Sequence, residues 1–234
     1  MSPVNDLGQP IGETLDWRAT RPRSRMPMEG RFCRIEPLNP DRHAAGLHVA
    51  NRLDESGAMW TYMPYGPFGS ETEYRSWCMG MAETDDPFFY AIVDTASGRA
   101  VGVASYLRIE PALGVIEVGH ISYSPLLQRT AAATEAMYLM MRQVFDELGY
   151  RRYEWKCDAL NEPSRRAADR LGFTFEGIFR QATMYKGRNR DTAWYSVIDD
   201  EWPDLKERFE AWLAPSNINE EGVQGLSLSE VTTS

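Results

Sequence analysis

The amino-acid sequence predicts a mixed α/β fold in which antiparallel strands come first and one β-α-β crossover follows. Three β-rich segments, residues 88–93, 100–109 and 115–123, follow one another with only turn residues between them, which indicates antiparallel neighbours. The third segment passes through a short loop into a helical pattern and reaches a further strand at residues 153–157. This order is typical of a right-handed crossover. The chain has 234 residues, 43% of them hydrophobic, which is enough to bury a sizeable core.

The first part of the chain predicts an extended arm, a strand and two helices. Residues 1–28 contain four prolines and no sustained apolar period, so we expect an arm rather than a helix or strand. Residues 31–38 alternate apolar and polar side chains, as a strand does. Helix-start signals then precede two helical patterns, at residues 43–53 and 71–82.

The loop between these two helices is unusually apolar. Residues 59–68 read MWTYMPYGPF, and exposing such a run to water is unfavourable unless it has a purpose. The loop either plugs the core beneath the helices or forms one wall of a substrate pocket, and both can hold. We therefore take Trp60 and Tyr62, with Trp155 on a later strand, as candidate substrate-binding residues.

Two helices are predicted after the strands of the crossover. Apolar residues recur at helical spacing from Ala133 to Phe145, in a Met-rich stripe typical of core packing. A second helix begins at Asn161 and ends at the C-cap signal Leu171-Gly172.

The last part of the chain predicts two strands, a helix and a tail. Residues 173–185 and 192–198 form the strands, and an amphipathic pattern at residues 201–213 indicates a terminal helix. Residues 214–234 are polar and lack aromatic side chains, so we expect a disordered tail. We therefore divide the chain into an arm (1–28), a folded domain (29–213) and this tail.

Charge and composition exclude several classes of partner. The net charge is -9 and the pI about 5.0, so nothing draws the chain as a whole toward nucleic acid. The start of the chain is rich in arginine, but such arginines pair more often with acids of their own domain. They are Arg18, Arg21, Arg23, Arg25, Arg31, Arg34 and Arg42.

Cysteine and histidine usage favours a reducing compartment without a metal. Cys33, Cys78 and Cys157 lie far apart with no CxxC motif, and the three histidines give no metal-ligand spacing. No apolar run approaches the roughly 18 residues of a membrane span, and the first residues lack the charged and apolar regions of a signal peptide. We expect a cytoplasmic protein with no membrane partner.

The stretch from Val115 to Ala136 is the feature with the clearest chemistry. A strand, a loop of small residues and a helix N-terminus in that order present free N–H groups and the positive end of the helix dipole. Such a cradle binds phosphate groups. The alternative is that the Ala-rich helix start serves close packing alone.

Four short segments follow one another at a characteristic spacing. They are Glu117-Val118-Gly119-His120, residues 128–136, Asn161-x-x-Ser164, and Leu171-Gly172-Phe173 with Glu176-Gly177. With the strand order they resemble the GNAT superfamily of acetyl-CoA-dependent N-acetyltransferases over residues 30–198. The nearest branch is the RimJ/RimL type, which acetylates protein N-termini. The resemblance implies a GNAT fold with a mixed central sheet of about seven strands, a splayed strand pair and helices on both faces.

The resemblance also implies that acetyl-CoA is the cosubstrate and that its pyrophosphate lies in the cradle. The phosphate loop of the family carries a central Gly where this chain has Ala131, which requires a helix-like backbone there. Asn161 matches the residue that binds the pantetheine arm, and Arg166 could reach the phosphates. The implied cofactor-binding residues are Ser122, Tyr123, Gln128, Arg129, Thr130, Ala131, Ala132, Ala133, Thr134, Asn161 and Arg166.

Acetyl transfer needs a base for the amine, donors for the oxyanion and an acid for the leaving thiolate. The resemblance gives the acid role to Ser164, which is otherwise a residue of the first helical turn, and places the oxyanion donors near residues 120–122. A strand position that carries Glu in the branch is Thr183 here, so Glu117 and His120 are the candidate bases, with a water relay as the remaining choice. Strand alternation places these two side chains on opposite faces.

The function that follows is transfer of an acetyl group to a primary amine, either a protein N-terminus or a small molecule. The alternative is a non-catalytic acyl-CoA-binding protein of the same fold. The sequence leaves the acceptor open, and it allows a homodimer.

Overall fold

Eight strands form one mixed sheet. The computed structural model describes residues 3–18, 26–219 and 224–231 of the chain. The strand order is β1-β2-β3-β4-β5-β6-β8-β7, and among the described strands β5 and β6 form the one parallel pair. The strands are β1 (Met28–Glu29), β2 (Cys33–Pro37), β3 (Phe88–Asp94), β4 (Ala100–Glu110), β5 (Val115–Tyr123), β6 (Arg152–Asp158), β7 (Thr174–Tyr185) and β8 (Arg188–Ile198).

Helices cover both faces of this sheet. They are α1 (Pro40–Asn51), α2 (Glu71–Ala82), α3 (Ala131–Arg142), α4 (Glu162–Arg170) and α5 (Trp202–Leu213). Alternate residues of β3 define the two faces: Tyr90 and Ile92 belong to the larger core cluster with α3 and α5, whereas Phe89 and Ala91 belong to the smaller cluster with α1 and α2. The predicted mixed α/β fold, with helices on both faces, is confirmed.

The sequence missed part of the last hairpin. Strand β8 begins at Arg188, ahead of the predicted residue 192, because the turn between β7 and β8 is only two residues long. These residues, Lys186 and Gly187, both have positive φ (49° and 71°), which suits the twist of a tight hairpin.

Described residues before and after the predicted domain contact it. In the arm, the Trp17 indole Nε1 donates to the Gly149 carbonyl at 2.9 Å, while Leu15 is exposed. In the segment expected to be a disordered tail, Leu228 and Val231 are instead buried in the larger core cluster. The free energy gained by burying these two apolar side chains offsets the conformational entropy that is lost when the segment becomes ordered.

The Arg-rich start is described only in part. Arg21, Arg23 and Arg25 lie outside the described residues. Arg34 and Arg42 both form ion pairs with Glu36, as expected for arginines that serve their own domain.

A buried carboxylate joins α3 to the start of β2. Glu135 is 4% exposed, and its two oxygens accept hydrogen bonds from the backbone N–H groups of Arg31, Phe32 and Cys33 at 2.6–2.8 Å. Gly30 leaves room for this contact, since a Cβ there would lie 2.5 Å from a carboxylate oxygen. The contact fixes the beginning of the α3 helix, and therefore the phosphate cradle, against the sheet.

Replacing Glu135 with glutamine is expected to lower the free energy of unfolding by about 2–3 kcal/mol, because three buried donors then face a neutral side chain that is itself partly a donor. Urea denaturation measures the change. Glu207→Gln, an exposed position on α5, is the matched control and should be within about 0.5 kcal/mol of the parent. Equal stability of the two variants would contradict the role given to this carboxylate.

Candidate active site

A large cavity opens where β5 and β6 separate. The two strands pair in parallel only from Val115 with Arg152 to Val118 with Trp155. Beyond that point β5 stays with β4, and β6 stays with β8. A cavity of about 1160 Å³ is lined by residues of both strands around the resulting gap.

The phosphate cradle lies at one end of this cavity. Helix α3 is capped by Thr130, whose hydroxyl donates to the Leu127 carbonyl at 2.7 Å and accepts from Ala133 N–H at 3.2 Å. Arg129 takes the positive φ of the loop (61°), and Ala131 is already the first helical residue. Alanine therefore fits at position 131, where the phosphate loop of the GNAT superfamily has glycine. The N–H groups of the first helical turn lack intrahelical acceptors.

Most of the predicted cofactor residues line the cavity. They are Tyr123, Gln128, Arg129, Thr130, Ala133, Thr134, Asn161 and Arg166. Ala131 and Ala132 form the helix start but are not part of its lining, and Ser122 is buried, with an Oγ that has no partner among the described residues. The structure thus brings the loop and the start of α4 to the same cavity.

The start of α4 holds the candidate acid. Asn161 caps this helix by accepting the Ser164 N–H at 3.2 Å, so its side-chain oxygen is already engaged. The Ser164 hydroxyl oxygen accepts a hydrogen bond from the Trp155 indole Nε1 at 3.0 Å. The Ser164 hydroxyl also hydrogen-bonds the Cys157 side chain, so it lies between the indole of Trp155 and the thiol of Cys157.

Glu117 and His120 lie on the same face of β5, so the expectation of opposite faces is wrong. The neighbours of Glu117, Ile116 and Val118, face the larger core cluster, and His120 packs against Phe89 of the smaller one. Val103 faces Ser122 and Ser105 faces Gly119, which means that two steps on β4 match three on β5. This β-bulge adds one residue and turns the His120 side chain back to the face of Glu117. His120 itself has the positive φ of the bulge (50°).

Glu117 is held by two cations. It is 3% exposed and forms ion pairs with Arg108 and with Lys156, the latter at 3.0 Å. The Lys156 side chain is 6% exposed and also pairs with Glu154 at 2.6 Å. A carboxylate engaged in this way is a structural member of the site and is poorly placed to take a proton from a substrate.

His120 is packed among aromatic rings and carries no charge at neutral pH. Its ring is stacked on Tyr65 at 5.7 Å and lies 5.1 Å from Phe89, and its Nδ1 is 3.1 Å from the Tyr65 hydroxyl. Burial, reinforced by the positive charges of Arg108 and Arg190, lowers the pKa of His120 to about 4.

The apolar loop serves as both plug and wall. Trp60 is 4% exposed in the smaller core cluster, packs against Gly66 and is not part of the cavity lining, so it serves as the plug. Tyr62 lines the cavity, and its hydroxyl donates to the Leu160 carbonyl at 3.0 Å. Trp155 also lines the cavity, beside Ser164.

Several lining residues were not predicted from the sequence. Arg170, at the end of α4, reaches across to the Thr134 hydroxyl at 2.9 Å, and burial lowers the pKa of its guanidinium. Lys156, Asp158, Arg190 and Trp194 line the other side of the cavity. The alternating charged residues of β6 could have indicated that Lys156 and Asp158 face a polar site. The sequence does not show that β8, which carries Arg190 and Trp194, is the neighbouring strand.

Two further findings concern the described part of the chain. It contains no helix that is both long enough and apolar enough to span a membrane. Nor do any three of its histidine, cysteine, aspartate and glutamate side chains come together as a metal site.

Known proteins place this fold and cavity in one class. The family model described as an acetyltransferase (GNAT) domain matches residues 33–174. A GCN5-related N-acetyltransferase from Brucella melitensis is 48% identical and superposes with a TM-score of 0.89, covering 92% of this chain and 97% of that one. A probable GNAT acetyltransferase from Chromobacterium violaceum is 38% identical with a TM-score of 0.75, covering 83% and 99%.

A curated relative is more distant. The uncharacterised N-acetyltransferase YnaD of Bacillus subtilis is 27% identical over 86 residues, which is 37% of this chain, and the match spans only 50% of that relative. The match to the family model and the close solved structures define an acetyltransferase fold. This chain belongs to the GNAT acetyltransferase family, whose members use acetyl-CoA.

The lowered pKa of His120 predicts a pH-dependent contribution to stability. Since the folded pKa is about 4 and the ordinary value is 6.5, the unfolded chain binds a proton first as the pH falls from 6.5 to 4, and the parent loses stability over this range. His120→Gln removes that loss. Relative to the variant, the parent should lose roughly 2 kcal/mol between pH 7 and pH 5 in urea titrations. A stability difference that is the same at both pH values would contradict the assigned pKa.

Proposed function

We propose that this protein transfers the acetyl group of acetyl-CoA to a primary amine by direct attack of the amine on the thioester carbonyl. One observation carries the proposal: the cavity between β5 and β6 has the α3 N-terminus at one end and His120 at the other. Assignment to the RimJ/RimL-like branch and a cytoplasmic location stay predictions.

The α3 end suits the pyrophosphate. Free N–H groups and the helix dipole favour an anion there. Arg129 and Arg170 line this end of the cavity and add positive charge, whereas Arg166 is already paired with Glu162. The pantetheine arm would then run past Asn161 into the gap between the strands.

The thioester carbonyl would lie beside the bulge of β5. Backbone N–H groups near residues 120–122 face the region where β5 has left β6, so they are the proposed donors to the oxyanion. Attack forms the C–N bond, and collapse of the tetrahedral intermediate breaks the C–S bond and leaves a thiolate.

Ser164 is the proposed acid for that thiolate. The hydrogen bond from Trp155 fixes the hydroxyl oxygen at 3.0 Å, and the hydroxyl hydrogen would turn from Cys157 to the thiolate. Cys157 lies on the same side, and burial raises the pKa of its thiol, so it stays protonated and is a poor nucleophile.

His120 is the proposed acceptor of the amine proton. The role requires the tautomer in which Nδ1–H donates to the Tyr65 oxygen, because Nε2 then keeps its lone pair for the substrate. With a pKa of about 4 it is a weak base. It is therefore suited to orient an amine that arrives neutral and to pass its proton on to water.

One observation favours the non-catalytic alternative. Among the described lining residues, the acidic ones are engaged: Glu117 pairs with two cations, and Asp158 accepts hydrogen bonds from the Tyr185 hydroxyl and Leu160 N–H. A binder without a strong base predicts acetyl-CoA binding but no acetyl transfer to any amine of a broad panel.

Reversing the charge at Arg129 tests the cofactor site. Arg129→Glu places an anion beside the proposed pyrophosphate and should raise the Kd for acetyl-CoA at least about 10-fold at low salt, by an effect that salt screens. Arg99→Glu, an exposed turn position away from the cavity, carries the same charge change and should bind as the parent does. Calorimetry and thermal shift measure both, and failure of the parent to bind millimolar acetyl-CoA overturns the proposed function.

Removing the Ser164 hydroxyl tests the chemistry. Ser164→Ala should lower kcat about 100-fold, since general acid catalysis contributes on this scale, and it should leave the Kd for acetyl-CoA within about twofold. Single-turnover acetylation of an amine and calorimetry give the two values. Parallel loss of binding and turnover would mean that the hydroxyl only positions the helix.

A further inference from the structure

The side of the cavity away from the cradle has a distinct set of polar residues. Thr192 and Trp194 project from β8 on the face opposite the larger core cluster, where Ala193 and Tyr195 are buried. Their partners across the ladder are Asp158 and Lys156 on β6. We call this surface, with Arg190 on the same face of β8, the acceptor wall.

The carboxylates on and beside this wall are already engaged. Glu117 is paired with Arg108 and Lys156. Asp158 is 5% exposed and accepts the Tyr185 hydroxyl at 2.7 Å and the Leu160 N–H at 2.9 Å. Neither offers a free anionic group to a substrate cation.

Two donors on the acceptor wall are left over. The Arg190 Nε and the Trp194 Nε1 are buried, and neither has a hydrogen-bond acceptor among the residues that the structure describes. Trp194 lies under the Lys156 ammonium, 3.7 Å from the ring centroid, which holds the indole in place. A buried N–H group without an acceptor costs free energy, so binding of an acceptor group to these two donors is favourable.

The β7–β8 hairpin and the apolar loop of residues 59–68 together cover the acceptor wall. The Lys186 ammonium donates to the Trp60 carbonyl at 2.8 Å and the Arg188 guanidinium to the Thr61 carbonyl at 2.7 Å, so the tip of the β7–β8 hairpin is tied to the apolar loop. The hydrogen bond from the Tyr62 hydroxyl to the Leu160 carbonyl closes a further side of the cavity. This enclosure favours a small molecule over the N-terminus of a folded protein.

We propose that the acceptor is a small amine that also carries a carboxylate, bound through Arg190 and the Trp194 indole, as in a free amino acid. The planar guanidinium and the indole N–H match a planar carboxylate. Arg190 and His120 line the same cavity, so one small molecule that carries both groups could place its carboxylate at Arg190 and its amine at His120. The inference rests on the proposed function and narrows its acceptor.

The test compares ligands that differ only in this group. N-acetyl derivatives of tyrosine, methionine and glycine are titrated calorimetrically against the protein saturated with CoA, each beside its C-terminal carboxamide. For at least one pair, the acid should bind 10–100-fold more tightly than the amide, because a hydrogen-bonded charge pair contributes on that scale. The carboxamides also stand for a peptide N-terminus, so tighter binding of the amides overturns the proposal.

Two matched variants test the role of Arg190 in this preference. Arg190→Gln should reduce the preference for the acid to less than about threefold while acetyl-CoA binding is unchanged. Arg180→Gln, an exposed arginine of β7 outside the cavity lining, should keep the full preference. Retention of the preference in Arg190→Gln, or absence of binding by all three acids, overturns the proposal.

The same samples separate this inference from the proposed function. If acetyl-CoA stabilises the parent but no pair shows a preference for the acid, the acceptor class is wrong and the acetyltransferase site stands. If acetyl-CoA itself does not bind, the proposed function fails, and the inference fails with it.

Discussion

The structure depends above all on the point where two parallel strands stop pairing. After Val118 and Trp155, β5 and β6 separate, but each keeps its other neighbour, so neither strand loses its conformation. Backbone groups that would otherwise bond across the ladder face a gap, and such groups are satisfied only by water or a ligand. The sheet therefore holds open a gap between two of its strands, and the cavity lies at this gap.

A buried ion-pair network keeps the edges of that gap in place. Lys156 on β6 contacts both Glu117 on β5 and Glu154 on its own strand, and it covers the ring of Trp194 on β8. Burying charges is costly and contributes little net stability, but breaking one partner leaves an uncompensated charge. The network therefore fixes the side chains of β5, β6 and β8 relative to one another near the point where β5 and β6 separate.

The sequence predicts the parts of this protein that follow local rules. Apolar periods and capping signals locate the helices and strands, and the Ala-rich loop correctly places a helix N-terminus beside the cavity. The face of His120 could not be predicted, because one inserted residue reverses strand alternation and leaves no clear sequence signal. The position of Trp60 in the core and the partners of Glu117 depend on contacts between distant segments, which periodicity does not encode.

The backbone at His120 also limits how this site can change over evolution. A positive φ of 50° is accessible to glycine, asparagine, aspartate and histidine more readily than to β-branched residues. Replacing His120 with valine or isoleucine would strain the backbone of the bulge, whatever the chemical role of the side chain. The residue types available at this position of the cavity are thus limited first by chain geometry.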